Sequence, residues 1–140
     1  MDTTWIMVAS RDEVRIFSRL GKGPLKLERD VANALGRLKT KDLVTDKAGA
    51  SNDNRKPGRP AYSTEESPRD RALKDFYREI GALLDHSYSL HEFSRLVLIA
   101  EPRLLGILRS TLSEKVRQSV MDEIKKDLSY ERAEQIAQRL

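Results

Sequence analysis

The sequence predicts an α/β fold with one mixed five-stranded sheet and the element order β-β-β-α-β-α-β-α. Three observations predict it. Short apolar or alternating runs, separated by turn residues, occupy residues 4–31 and read as an antiparallel meander. A strongly amphipathic helical pattern follows later in the chain. Residues 96–100 (Leu-Val-Leu-Ile-Ala) then form a continuous apolar run, the kind buried on both faces at a sheet centre.

Taken in order, residues 4–10 carry Trp5, Ile6, Met7 and Val8, and Ser10-Arg11-Asp12-Glu13 turns the chain. Residues 14–20 alternate, with Val14, Ile16 and Ser18 on one face and Arg15, Phe17 and Arg19 on the other. Gly21-Lys22-Gly23-Pro24 is the next turn, and residues 25–31 form a more polar strand with Leu25 and Leu27 on one face. Ser67 is an N-cap, Pro68 suits the first helical position, and Asp70 completes a capping pair. Leu73, Phe76, Tyr77, Ile80, Leu83 and Leu84 then recur at helical spacing, and the helix is predicted to end near His86. Glu101-Pro102 stops the strand at 95–100 and opens a helix lined by Leu104, Leu105, Leu108 and Leu112. Val116, Val120 and Ile124 predict a fifth strand. Ser129 is predicted to cap a last helix that turns Ala133, Ile136, Ala137 and Leu140 inward. An antiparallel unit joined to parallel crossovers in this order is ribonuclease-H-like.

The length, 140 residues and 16.0 kDa, predicts a single domain over 1–140. A chain of this size buries enough surface to fold without disulfides or metal. Cysteine is absent, which excludes thiol nucleophiles and zinc-cysteine clusters. The run 96–100 is far short of the ~20 residues that cross a bilayer, and Asp2 stands where a signal peptide carries basic residues. The expected location is the cytoplasm, with no membrane contact.

The net charge of +4 is not spread evenly. Residues 36–60 hold seven bases (Arg37, Lys39, Lys41, Lys47, Arg55, Lys56, Arg59) against three acids (Asp42, Asp46, Asp53), the whole excess of the chain. The surrounding stretch, 36–67, has no sustained periodicity and reads as a long basic loop. A loop of that length inside a compact domain is functional or disordered.

Within it, Asn54-Arg55-Lys56-Pro57-Gly58-Arg59-Pro60-Ala61-Tyr62 precedes the long helix, whose first turn adds Arg69 and Arg71. Arg55, Lys56, Arg59, Arg69 and Arg71 are the candidate phosphate contacts, Gly58 lets the backbone approach closely, and Tyr62 offers a face for a base. The bland alternative is a solvated loop that aids solubility. Catalytic chemistry has less behind it. A two-metal nuclease needs an acid in the middle of the first strand, where this chain has none; Asp75, Glu79 and Glu101 remain as weak candidates. His86 and His91 are too far apart in phase to share one helix face as metal ligands. No metal, cofactor or catalytic residue is therefore expected.

Several pieces together resemble one family. They are Trp5-Ile6-Met7-Val8-Ala9, Arg15-Ile16-Phe17, the Lys-Asp-Leu and Asp-Lys-Ala-Gly stretches within 41–49, and Pro57-Gly58-Arg59. Leu96-Val97-Leu98-Ile99-Ala100, Pro102-Arg103-Leu104-Leu105-Gly106 with Leu108-Arg109, and Lys126-Asp127-Leu128 complete the set. This resembles the bacterial host attachment protein family, required by name for attachment to host cells. The resemblance implies kinship with the middle domain of archaeo-eukaryotic peptide-chain release factors, where a Gly-Gly-Gln loop precedes the long helix. The equivalent place here reads Lys56-Pro57-Gly58-Arg59-Pro60 and contains no glutamine, so the resemblance does not carry peptidyl-tRNA hydrolysis over. It implies a loop that meets RNA, and attachment as a downstream phenotype. The leading expectation is a non-catalytic RNA-, tRNA- or ribosome-binding module. The alternatives are a protein-interaction adaptor or homodimer, and a metal-dependent nuclease.

Overall fold

A computed structural model of the chain describes residues 2–33 and 67–140. The predicted basic loop, Ser67 apart, lies outside the described residues. The meander comprises β1 (Thr3–Ala9), β2 (Glu13–Leu20) and β3 (Lys26–Ala32). β1 runs antiparallel to β2, from Thr3 opposite Leu20 to Ala9 opposite Val14. After the helix α1 (Pro68–Ser89), β4 (Arg95–Ile99) inserts parallel to β1, pairing Thr4 with Arg95 and Val8 with Ile99. Then come α2 (Pro102–Thr111), α3 (Glu114–Ser119), β5 (Val120–Ile124) and α4 (Ala133–Gln138). β5 lies parallel to β4, and the open mixed sheet has the order β3-β2-β1-β4-β5.

The two central strands are apolar because both sheet faces are covered. Trp5, Met7, Ala9, Val14, Ile16, Leu96 and Leu98 pack under α1, α2 and α3. Ile6, Val8, Phe17, Val97 and Ile99 pack on the other face under Leu128 and Ile136. Burial of each large aliphatic side chain here stabilises the fold by about 1.5–3 kcal/mol. Trp5 stacks on Phe93 at a centroid distance of 4.7 Å, which fixes the β4 entry loop against β1. On the helical face, Arg109 of α2 forms a two-pronged ion pair with Glu123 of β5 at 2.9 and 3.0 Å. That hydrogen bonding holds the Glu123 carboxyl below its ordinary range.

Four expectations differ from the structure. The Val116 stretch is not one strand. Ser113 caps a short helix by accepting from the Val116 N–H at 3.3 Å, and the strand begins only at Val120. The element order among the described residues therefore has two helices between β4 and β5. Valines four residues apart suit a helical turn as well as a strand, and the cap decides it. Ser129 does not cap the last helix: its N–H and Oγ both donate to Asp127 Oδ1, and α4 starts after Arg132. α1 continues past His86 to Ser89 and stops because His91 adopts φ 61° with its N–H on the Tyr88 carbonyl. The third strand begins at Lys26 rather than at Leu25, so Leu25 precedes it and does not share a strand face with Leu27. Among the described residues no helix is long and apolar enough to cross a membrane.

Candidate functional site

The carboxyl ends of parallel strands are where α/β sheets place their ligands, because loops and helix N-termini converge there. In this chain the carboxyl ends of β1 and β4 open a polar cleft of about 380 Å³. Ser10 to Glu13 line it from the β1–β2 turn, Glu101 and Leu104 from the start of α2, and Asp127, Ser129 and Tyr130 from the turn after β5.

Local chemistry builds each wall. Ser10 Oγ donates to the Glu13 carbonyl at 3.2 Å and accepts from the Asp12 and Glu13 N–H groups, which closes the β1–β2 turn. Tyr77 of α1 donates its phenol to the Ser10 carbonyl at 2.6 Å and so ties the long helix to the same turn. Burial pushes that phenol above its ordinary range; nearby Arg11 pulls it down and Glu101 pushes it up. Arg15 of β2 donates to the carbonyls of Leu128 and Ser129 at 3.3 and 3.1 Å, holding the third wall. Asp12 and Glu101 make no ion pair among the described residues, and neither does Arg11.

Of the described residues that flank the basic segment, Asn33 meets this rim. Asn33 donates its side-chain amide to the Arg11 carbonyl at 3.1 Å and its backbone N–H to the Asp12 carbonyl at 2.8 Å. Ser67 caps α1 by accepting from the Asp70 N–H at 3.1 Å. Asp70 in turn faces Arg103 of α2 at 3.5 Å, two residues beyond Glu101. Thus the first turns of α1 and α2 stand side by side, and that of α2 borders the cleft.

The predicted contacts divide accordingly. Arg69 and Arg71 lie exposed in the first turn of α1. Arg55, Lys56, Gly58, Arg59 and Tyr62 lie outside the described residues. Of the weak nuclease candidates, Glu101 lines the cleft, while Asp75 pairs with Arg78 and Glu79 stands exposed on α1. Among the described residues no three His, Cys, Asp or Glu side chains are grouped to hold a metal. Sequence reasoning missed Arg11 and Tyr130. Arg11 had a signal, since it follows directly on the first strand; Tyr130 is a lone aromatic in a polar turn and carries none.

A family model described as "protein required for attachment to host cells" matches residues 5–140. No match was found among curated proteins. A solved structure titled "Archaeal protein" is similar at 9% identity with a TM-score of 0.47, over 89% of this chain and 30% of that one. The chain thus spans less than a third of that structure's length.

Proposed function

The chain belongs to the family of proteins required for attachment to host cells, and on that premise we propose that it is a non-catalytic RNA-binding domain acting on tRNA or the ribosome. One observation carries this reading: the chain's net positive charge is concentrated in residues 36–60, and Asn33, three residues before that segment, is bonded to the cleft turn at Arg11 and Asp12. Arg69 and Arg71 extend that charge along the first turn of α1, and Arg55, Lys56 and Arg59 supply the rest. Gly58 allows close backbone approach, and Tyr62 offers a stacking face. Helix N-terminal N–H groups favour phosphate at the same place. The strand order, with β4 and β5 parallel to β1 beside an antiparallel meander, supports a ribonuclease-H-like reading and kinship with release-factor middle domains. The site lacks the Gly-Gly-Gln of those factors, so the role is binding rather than hydrolysis, in the cytoplasm, and attachment follows indirectly.

Co-sedimentation with ribosomes and with tRNA over a salt series tests this. Three to five phosphate contacts give a log-log salt slope of roughly −2 to −5. Replacing Arg55, Lys56 and Arg59 together by Ala is expected to abolish binding and leave the fold intact. Binding unchanged in that variant overturns the loop as the contact. No binding at any salt overturns the RNA reading and leaves a protein partner as the alternative.

A further inference from the structure

We propose that Tyr130 is a stacking platform for an unpaired RNA nucleotide, a site that deepens the RNA reading above and rests on it. Tyr130 is 88% exposed, yet the turn that carries it is fastened on every side. Asp127 Oδ1 accepts from the Ser129 N–H and Oγ at 3.0 and 2.6 Å, and the Glu131 N–H donates to the Leu128 carbonyl at 3.0 Å. Leu128 is buried in the second core cluster. Arg15 reaches across from β2 to hold the carbonyls of Leu128 and Ser129, and Arg139 grips the Glu131 carboxylate with two hydrogen bonds of 2.8 and 2.6 Å. The aromatic ring gains nothing from burial, so this local order serves to present it. With the turn's backbone fixed, only the two side-chain torsions of Tyr130 remain to be ordered when a flat partner arrives.

Charge on either side of the ring assigns the partner. Lys125 and Lys126 are exposed, stand within five residues of Tyr130 and form no ion pair among the described residues. Arg132 is exposed beside them, with a loose contact to Glu134 at 4.0 Å. These three groups suit phosphates. The cleft that Tyr130 borders carries Arg11 against the carboxylates of Asp12, Glu13, Glu101 and Asp127, which repel phosphate and accept hydrogen bonds from amino groups. A nucleotide satisfies both sides: its neutral base stacks on Tyr130 with its amino edge toward the carboxylates, and its backbone lies on the lysines. Aromatic stacking of this kind tolerates any base, so the site reads single-strandedness rather than sequence.

The test is fluorescence anisotropy of a labelled single-stranded RNA dodecamer of adenosine against the full chain. Tyr130→Ala is expected to weaken binding by about tenfold or more, and Tyr130→Phe to change it by no more than roughly twofold. Lys125→Ala with Lys126→Ala is expected to flatten the log-log salt slope by about 1–2. The melting temperature of Tyr130→Ala stays at the wild-type value because the side chain is exposed. If the wild-type chain binds the dodecamer and Tyr130→Ala binds equally well, this site is overturned while the RNA reading stands. If the wild-type chain binds no RNA at any salt, both are overturned.

Discussion

Tyr77 shows how much one side chain holds. Its ring is in the core beneath α1, and its hydroxyl reaches the Ser10 carbonyl at the floor of the cleft. Tyr77→Phe keeps the ring and leaves that carbonyl without its donor, a cost of about 1–3 kcal/mol to be read from urea denaturation. The same group sets an alkaline limit. Its folded pKa is raised by burial, so its contribution is complete below the ordinary phenol pKa of about 10 and is lost as pH rises above it, when the unfolded phenol ionises first. Stability measured between neutral and strongly alkaline pH is expected to fall less steeply in Tyr77→Phe than in the wild type. An equal slope in both would place the alkaline loss elsewhere.

At the scale of elements, α1 and α2 cross closely because Gly81 has no side chain. A Cβ there would overlap the backbone carbonyl of Thr111 at the end of α2. Gly81→Ala returns roughly 1 kcal/mol of helix propensity but forces apart a packed contact worth about 1–3 kcal/mol. The clash wins, and calorimetry is expected to show a lower Tm. The elements that the sequence revealed well are those with one dominant pattern: Trp5 to Ala9 and Leu96 to Ile99 as apolar runs, and α1 as a capped amphipathic stripe. It misled where two periods agree over a few residues, as at Val116 and Val120, or where a serine had a nearer partner than the helix behind it, as Ser129 has in Asp127. The end of α1 was hidden because a histidine, not a glycine, takes the left-handed position. The site was less legible than the fold. Its first-turn arginines lie on α1 as read, but the cleft joins three segments remote in sequence, and no local pattern announces such a meeting.

At the scale of the whole molecule, the two edges of the sheet formed by the described residues bear on its company. β3 exposes Lys26, Glu28, Arg29 and Asp30, and the β2–β3 register shifts between Ile16 and Phe17. β5 exposes Met121 and Asp122 beside a shift between Leu96 and Val97. Irregular, charged edges resist pairing with a second copy. Light scattering is therefore expected to give a monomer at micromolar concentration, and a stable dimer would show that the adaptor reading needs another surface. The parallel pairing of β1 with β4 has a consequence of another kind. Thr4 meets Arg95, so the apolar strand that is made first waits for a neighbour made some ninety positions later. At roughly 5–20 residues per second, synthesis leaves the Trp5 to Ala9 edge open for several seconds while the sheet stands half-finished. A message broken between those two points would yield a sticky fragment rather than a smaller working protein.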